Sequence, residues 1–385
     1  MFHRIISPIK SNSFFLFGAR GTGKSTFLKT FFEKENPLWL DLLDPEIEDL
    51  LARQPQELAK RIEAKKGEIK WVVIDEVQKV PKLLDVVHQQ IEKNKIKFAL
   101  TGSSARKLKR GSANLLAGRA FMNFLFPLTA SEMEEAFDLP TALQWGTLPK
   151  ITELQTDEER HEFLSAYALT YLKEEIWAEH LIRQLDPFRK FLSIAAQTNG
   201  EIVNFTNIAK DVRADVKTVQ SYFEILEDTL LGFLLEAHHR SVRKQQRQNP
   251  KFFLFDLGVK KALERTLNQR IAPGSYAFGN AFEHFLMLEI HRLNLYRKKD
   301  FQLSYLRTKD DAEIDLIIER PGAPTALVEI KSAEQVDERH TRTLEHFLKD
   351  FGKAEGFLLS QDPAAKKIGN VNALFWKEGL KEIGL

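Results

Sequence analysis

The stretch FLFGARGTGKST, from Phe15 to Thr26, constrains the fold more than any other part of the sequence. Residues Gly18 to Ser25 fit the pattern G-x-x-x-x-G-K-[ST] in full, after a short apolar run and before apolar residues at helical spacing. The backbone amides of such a turn curl around phosphate groups, and the positive end of the following helix dipole attracts them further. This flanking strand and helix pattern argues against the alternative, a chance glycine-rich turn.

The loop therefore predicts binding of ATP with Mg²⁺. Lys24 is expected to reach the β- and γ-phosphates, and Ser25 to offer its hydroxyl to Mg²⁺. Arg20 is expected to face the anion as well. The predicted nucleotide-binding residues are Gly18, Ala19, Arg20, Gly21, Thr22, Gly23, Lys24, Ser25 and Thr26.

A second acidic feature follows the apolar run Trp71–Ile74, which predicts a buried strand. Asp75 and Glu76 come at its C-terminal end, where ligands bind in open parallel sheets. We expect Asp75 to hold Mg²⁺, mostly through water, and Glu76 to polarise the attacking water. Strands often end in acids, but some fifty residues after a full phosphate loop the pair indicates a hydrolytic site.

The run Phe98–Leu100 predicts a neighbouring strand that ends in Thr101, Gly102, Ser103 and Ser104. Ser103 is predicted to contact the γ-phosphate or the water. The alternative is a plain helix cap, which Ser and Thr favour.

From Thr101 to Ser131 there is no acidic residue, whereas the basic residues are Arg106, Lys107, Lys109, Arg110 and Arg119. Such a run is either a solvated face or a surface for anions. Arg119 is predicted to touch the γ-phosphate of a neighbouring subunit, where an arginine stabilises the transition state. That role implies a homo-oligomer, with a ring as one form. The alternative for Arg119 and for Arg20 is an ordinary surface ion pair.

With these motifs the chain resembles a widespread family of prokaryotic P-loop ATPases of the AAA+ class. The resemblance covers nearly the whole chain and includes a C-terminal unit long labelled as having unknown function. It rests on the phosphate loop, Leu40–Pro45 (LDLLDP), Asp75–Gln78 (DEVQ), Thr101–Ser104 (TGSS) and Leu116–Arg119 (LAGR).

The predicted fold class is α/β, with four parts. They are an AAA+ P-loop ATPase core over residues 1–128, a helical lid over 129–190, a winged helix over 191–248 and a nuclease-like α/β domain over 249–385. The lid is expected because residues 129–187 are helical in pattern and resemble the segment that follows an AAA+ core. One long helix or two shorter helices are expected between Asp157 and Leu185.

The winged helix is predicted from residues 201–236, which read as helix, turn, helix and strand. Its second helix begins with side chains that donate to phosphates or bases, namely Lys217, Thr218, Gln220 and Ser221. The acids that follow, Glu224, Glu227 and Asp228, oppose an approach to DNA, and such modules also dock proteins. A basic run comes next, comprising Arg240, Arg243, Lys244, Arg247 and Lys251. This run suits a phosphate backbone, or is a solvated loop between domains.

Three features of the C-terminal part point to one cluster. Glu283 lies on an amphipathic helix, Asp315 on an apolar strand, and Glu329 and Lys331 two residues apart on the next strand. Two acids and a lysine at one spot can bind Mg²⁺ and steady the developing charge on a phosphate. The pattern resembles the restriction-endonuclease-like fold, which implies a possible nuclease site at Glu283, Asp315, Glu329 and Lys331. The alternative is a half-buried strand with ordinary exposed charges.

Composition sets limits on these assignments. The sequence has no Cys, which excludes disulfides and Cys-ligated zinc sites. No apolar run has the length of a membrane span, so we expect a cytoplasmic protein without a membrane partner. The net charge of +2 leaves nucleic-acid binding to local patches.

Together the motifs predict an ATP-hydrolysing enzyme that acts on DNA in repair, recombination or defence, with DNase activity as a separate question. A rival hypothesis is a nucleotide-switched regulatory or scaffold protein, whose nuclease-like domain is inert and binds a protein partner.

Overall fold

The computed structural model describes residues 2–104, 116, 118–171, 185–239, 248–310 and 312–385. The chain divides into two compact units. The first unit comprises Met1–Leu128, Leu148–Lys150 and Glu224–Leu231, and the second comprises Thr129–Thr147, Ile151–Phe223 and Gly232–Leu385. Each unit has a sheet of its own.

The sheet of the first unit is wholly parallel. Its strands are β1 (Ser13–Phe17), β2 (Leu38–Asp41), β3 (Trp71–Asp75), β4 (Lys97–Gly102) and β5 (Ala120–Phe124), in the order β2-β3-β4-β1-β5. Every residue of β1 and β3 is buried, as expected for central strands of a parallel sheet. Because all five strands run the same way, the segments that follow β1, β3 and β4 meet at one edge.

Helices connect these strands. They are α1 (Lys24–Phe31), α2 (Pro45–Arg53), α3 (Glu57–Ala64) and α4 (Leu83–Asn94), with a 3-10 turn at Val77–Lys79. Asp44 caps α2 by accepting hydrogen bonds from the backbone amides of Glu46 and Ile47, and Pro45 occupies its first position. The apolar faces of α2 to α4 pack on β3 and β4 in one buried cluster, which includes Leu51, Leu58 and Val87.

Helices make up much of the second unit. They are α5 (Ala130–Met133), α6 (Leu139–Trp145), α7 (Asp157–Ala166), α8 (Leu185–Gln197), α9 (Phe205–Val212), α10 (Val216–Asp228), α11 (Leu257–Glu264), α12 (Tyr276–Tyr296), α13 (Glu338–Asp350) and α14 (Trp376–Ile383). The C-terminal half of α10 belongs to the first unit. The helix expected from Asp157 is confirmed by α7, which a π-turn at Tyr167–Tyr171 follows, whereas residues 172–184 lie outside the described part. No helix in the described ranges is long and apolar enough to span a bilayer.

The second sheet is mixed and has eight strands. They are β6 (Gly232–Ala237), β7 (Lys251–Leu254), β8 (Gln302–Arg307), β9 (Glu313–Glu319), β10 (Thr325–Ile330), β11 (Ala354–Ser360), β12 (Lys366–Ile368) and β13 (Val371–Phe375), in the order β12-β13-β11-β10-β9-β8-β6-β7. Strands β9 and β10 are antiparallel neighbours, while β10 and β11 are parallel. Strand β6 pairs with β8, so the helix–turn–helix segment leads directly into this sheet.

A buried polar network ties α12 to segments far away in sequence. Arg292, only 1% exposed, donates to the hydroxyl of Thr147 at 3.0 Å and to the carbonyl of Phe255 at 2.7 Å. Asp256 accepts from the amide of Thr147 at 2.8 Å. Glu289 accepts from the amide of Ala130 with both oxygens, at 3.2 and 3.1 Å. Burial of these charges is tolerated because each is hydrogen-bonded.

Candidate functional site

The glycine-rich loop joins β1 to α1, as the sequence predicts. Gly21 and Gly23 have φ angles of 79° and 91°, in the left-handed region that glycine adopts without a steric penalty. At Gly18, a Cβ atom would lie 2.3 Å from the carbonyl oxygen of Leu125. The turn therefore needs glycine at positions 21 and 23 for its backbone conformation. It needs Gly18 because the loop packs closely on Leu125, the residue that follows β5.

Lys24 is the first residue of α1 and is only 6% exposed. Its ammonium donates to the carbonyl of Gly18 at 2.8 Å and to that of Ala19 at 3.4 Å, so it folds back over the loop. It also lies 3.7 Å from the carboxylate of Glu76. The hydroxyl of Thr22 donates to Ala19 at 2.8 Å and closes the turn from inside.

The next residue, Ser25, meets the end of β3. Its hydroxyl donates to Oδ2 of Asp75 at 2.5 Å, and the hydroxyl of Thr101 donates to Oδ1 of the same carboxylate. A serine hydroxyl and a carboxylate in contact are two hard oxygen ligands at one point, which is the donor set that Mg²⁺ prefers. The two predicted Mg²⁺ residues are thus brought together, and they fit that ion.

Glu76 turns sharply away from β3. Its backbone is left-handed, with φ 59° and ψ 46°, and its amide donates to the hydroxyl of Thr101 at 2.9 Å. Such a conformation is costly for a non-glycine residue and is concentrated at functional sites. The side-chain amide of Gln78 donates to the Glu76 carboxylate at 2.5 Å and to the hydroxyl of Ser103 at 3.1 Å. The side chain of Gln78 therefore connects Ser103 to Glu76.

Arg119 does not lie at this edge of the sheet. It precedes β5, whose first residue, Ala120, pairs with Ser13 at the start of β1, whereas the phosphate loop follows the end of β1. A strand of five residues spans about 17 Å, so contact with the phosphate loop of its own chain is excluded. Its guanidinium pairs with Glu92 at 2.5 Å, which matches the surface ion pair weighed as the alternative. Arg106, Lys107, Lys109 and Arg110 lie outside the described residues.

Three residues that make hydrogen bonds in the site were assigned no role from the sequence. Thr101 binds both Asp75 and Glu76, and Gln78 binds Glu76 and Ser103. Arg4 donates to the carbonyl of Thr22 in the loop at 2.9 Å and to that of Phe126 at 2.6 Å. The positions of Thr101 and Gln78 inside the TGSS and DEVQ motifs were a signal, whereas nothing in the sequence marks Arg4.

The residues of the possible nuclease site lie in the second unit. The pairing of Leu316 with Val328, continued by one step, puts Asp315 opposite Glu329 on β9 and β10. Asp315 accepts from the amide of Ile330 at 2.7 Å, and Lys331 pairs with Glu329 at 2.6 Å. The second oxygen of Glu329 is buried and has no hydrogen-bond partner among the described residues.

The pKa values of the three acids in this cluster show that they share one buried environment. Burial raises the pKa of Glu283 to about 8, and the carboxylate of Asp315 adds to the rise. Burial and Asp315 likewise raise the pKa of Glu329 to about 7. Burial also raises the pKa of Asp315. The cluster therefore holds more carboxylates than it can readily ionise together.

Lys251 belongs to this cluster, which corrects its assignment to an exposed basic run. It is only 4% exposed and pairs with Glu313 on β9. Burial lowers the pKa of Lys251, but the carboxylates of Glu283 and Glu313 outweigh that effect and raise it. The excess of buried acids is the physical reason that this ammonium is drawn inside. Arg240, Arg243, Lys244 and Arg247 lie outside the described residues.

A cleft of about 730 Å³ opens beside the cluster and is lined by Glu283, Glu313 and Lys251, among others. In the part of the chain that the structure describes, no three acids or histidines form a group able to hold a metal ion. Asp315 and Glu329 are thus adjacent and Glu283 is coupled to them by charge, without a three-ligand metal centre.

The expected helix–turn–helix is present as α9 and α10. Lys217 and Gln220 are exposed on α10, but so is Glu224 one turn later. Thr218 is not available as a donor to a ligand, because its amide and its hydroxyl both donate to Asp215, at 2.8 and 2.7 Å. The exposed face of α10 is therefore mixed in charge.

Three family descriptions match successive parts of the chain. Residues 10–134 match an AAA domain, residues 136–270 match a domain of unknown function (DUF8612), and residues 278–378 match a second domain of unknown function (DUF4143). The N-terminal part is thus an AAA-type, P-loop ATPase-like domain, and its parallel sheet is consistent with a P-loop NTPase core. An AAA domain suggests nucleotide hydrolysis.

Curated relatives extend over most of the chain. Uncharacterized proteins of Mycobacterium tuberculosis and Mycobacterium bovis are each 23% identical over 319 residues, which covers 80% of this chain and 68% of theirs. An uncharacterized protein of Haemophilus influenzae is 21% identical over 301 residues, covering 71% of this chain and 73% of its own.

Proposed function

We propose that the protein is a Mg-ATP-hydrolysing AAA+ ATPase that acts on DNA. One observation carries the ATPase part: Ser25 of the phosphate loop and Asp75 of β3 are joined at 2.5 Å, with Lys24 and Glu76 beside them. Ordinary surface side chains are not expected to bring an ammonium, a hydroxyl and two acids together at a glycine-rich turn.

Each residue has a distinct task in this proposal. The loop amides and Lys24 bind the β- and γ-phosphates, and Lys24 balances the charge that develops on them. Ser25 and Asp75 would hold Mg²⁺, which would supply positive charge to offset that of the phosphates. Glu76 orients the attacking water, and Ser103 contacts the γ-phosphate from β4.

The experiment that tests this proposal measures ATP binding and ATP turnover separately. Lys24→Ala is expected to abolish ATP binding, while Glu76→Gln keeps ATP bound and lowers turnover about 100-fold or more. Lys29→Ala, on the outer face of α1, is the matched control and keeps both. Hydrolysis by Glu76→Gln at the wild-type rate refutes the role given to Glu76.

The proposal that DNA is the partner rests on two arrangements of helices and strands. Helices α9 and α10 followed by the antiparallel β6 and β7 resemble a winged helix, whose second helix enters a major groove in DNA-binding examples. The strand pair with Asp315 and Glu329, followed by Lys331, resembles the acidic strand pair of a restriction-endonuclease-like fold. Oligomerisation is proposed because Arg119 reaches a γ-phosphate only in another subunit.

A panel of no DNA, single strand, duplex, fork and four-way junction tests this partner through the ATPase rate. We expect stimulation by DNA that falls steeply with salt, since phosphate contacts release counterions. The competing function is a nucleotide-switched scaffold with an inert nuclease-like domain. The pairing of Lys251 with Glu313 and of Lys331 with Glu329 favours that alternative, because ammonium groups already neutralise acids there. Lack of stimulation by every nucleic acid supports it.

A further inference from the structure

We propose that Gln78 is a positioning residue for ATP hydrolysis, whose side-chain amide fixes the direction of the Glu76 carboxylate and links it to Ser103. This inference rests on the proposed ATPase function. It adds a residue to which neither the motif nor the AAA domain match assigns a task.

Each of the two oxygens of the Glu76 carboxylate contacts a different partner. Oε1 lies 3.7 Å from the ammonium of Lys24, and Oε2 accepts from Nε2 of Gln78 at 2.5 Å. A carboxylate held at both oxygens has one orientation rather than a range of rotamers. A group that orients water needs such a fixed direction, because reaction rates depend steeply on alignment.

The same amide nitrogen makes the second link. It donates to Oγ of Ser103 at 3.1 Å, and both Gln78 and Ser103 are almost fully buried, at 6% and 1% exposure. The assignment of nitrogen and oxygen is set by chemistry, because an ionised carboxylate accepts hydrogen bonds and repels the amide oxygen. Glu76 on the β3 side and Ser103 on the β4 side are therefore joined through one side chain.

The backbone conformation positions the Gln78 side chain next to Glu76 and Ser103. The left-handed conformation of Glu76 starts the 3-10 turn Val77–Lys79, which folds the Gln78 side chain back beneath Glu76. Thr101 stabilises that turn by accepting from the Glu76 amide at 2.9 Å. At Gly102, a Cβ atom would lie 2.7 Å from Oε1 of Gln78, so glycine leaves the space that the amide occupies.

The nitrogen of the Gln78 amide makes both of the side-chain hydrogen bonds to the site, whereas Oε1 is buried and has no hydrogen-bond partner among the described residues. Here both donor contacts go to the two residues that the mechanism places at the γ-phosphate and the water.

The test uses Gln78→Met, which keeps the length of the side chain and removes both donors, and Gln78→Glu. For Gln78→Met we expect kcat to fall about 10- to 100-fold, with the ATP dissociation constant within about threefold of wild type. Gln90→Met is the matched control, because Gln90 is a glutamine of similar burial on α4, away from the site. Gly102→Ala is expected to lower kcat like Gln78→Met, since it displaces the amide.

Gln78→Glu keeps the shape of the side chain, so it separates a role of the amide donors from a role in packing. It replaces the nitrogen that donates to Glu76 and Ser103 with an oxygen that repels the carboxylate of Glu76. Its kcat is expected to fall at least as far as that of Gln78→Met, with the ATP dissociation constant within about threefold of wild type.

The outcomes are distinct. A kcat of Gln78→Met or of Gln78→Glu within twofold of wild type overturns the role of Gln78 and leaves the ATPase proposal intact when Glu76→Gln is inactive. A wild-type protein that binds and hydrolyses no ATP overturns both.

Discussion

The hydroxyl of Ser25 donates to the carboxylate of Asp75 at 2.5 Å, although fifty residues separate the two in sequence. The contact joins the first turn of α1 to the end of β3. It exists because α1 starts at the same edge of the parallel sheet at which β3 ends. We expect Mg²⁺ dependence to arise at this contact.

Asp75→Asn is expected to lower kcat for ATP about 100-fold or more, because a neutral amide binds Mg²⁺ much more weakly than a carboxylate does. Steady-state hydrolysis across a Mg²⁺ titration measures the effect. Asp85→Asn, an exposed acid in the first turn of α4, is the control and keeps wild-type kinetics. Equal Mg²⁺ dependence in Asp75→Asn and wild type contradicts the assignment.

Arg119→Ala is expected to lower ATP turnover about tenfold or more while leaving ATP binding intact, because its guanidinium acts on a neighbouring subunit. Glu92→Ala removes the same ion pair but keeps the arginine, and we expect it to retain activity. Mixing Arg119→Ala with Lys24→Ala should partly restore hydrolysis, since each supplies what the other lacks. Equal losses in Arg119→Ala and Glu92→Ala would indicate a structural role.

Nuclease activity of the acid cluster is a separate question, tested by nicking of plasmid DNA with Mn²⁺ or Mg²⁺, with and without a chelator. Lys331→Ala is expected to abolish it, because the lysine pairs with Glu329 and steadies charge at the site. Lys367→Ala, an exposed lysine on β12, serves as the control. Cutting that persists in Lys331→Ala points to a contaminant, and a wild type that never cuts supports the scaffold function.

Glu289 predicts a pH effect on stability. Burial raises the pKa of Glu289 from 4.5 to about 7, so the folded chain takes up a proton between these values and stability falls as pH rises through them. Glu289→Gln keeps an oxygen that accepts from the amide of Ala130 but does not titrate. The melting temperature of wild type should drop between pH 5 and pH 8 by on the order of 5 °C more than that of the variant.

The control is Glu319→Gln, at the exposed end of β9, which is expected to follow the wild-type curve. A Glu289→Gln curve that runs parallel to wild type from pH 5 to pH 8 contradicts the prediction. Thermal unfolding followed by intrinsic fluorescence is sufficient, because only the difference between variants is compared.

The local elements of the site could be predicted from the sequence because their signals are local. An apolar run, glycines at fixed offsets and apolar residues at helical spacing indicated β1, the phosphate loop and α1, and Asp75 was assigned with Ser25 to Mg²⁺. Glu283, Asp315 and Glu329 were likewise placed on their helix and strands, whereas β10 ends one residue before Lys331. In each case the pattern spans only one element.

Other positions depended on contacts between elements. Lys251 was grouped with a basic run by sequence, yet β7 carries it to Glu313, because a buried ammonium offsets several buried acids. Arg119 could be assigned to an edge of the sheet only from the register of β5 against β1. Arg4, Thr101 and Gln78 make their contacts across loops, where no periodic signal exists.

The sequence by itself determined the phosphate loop with its flanking strand and helix, and the acids at the end of β3, since backbone preferences and burial patterns act over short distances. Only the tertiary structure decided which side chains share a hydrogen bond, such as Gln78 with Glu76 and Ser103, and which charges are neutralised. Those outcomes depend on sheet order, register and burial, which bring together residues that the sequence holds far apart.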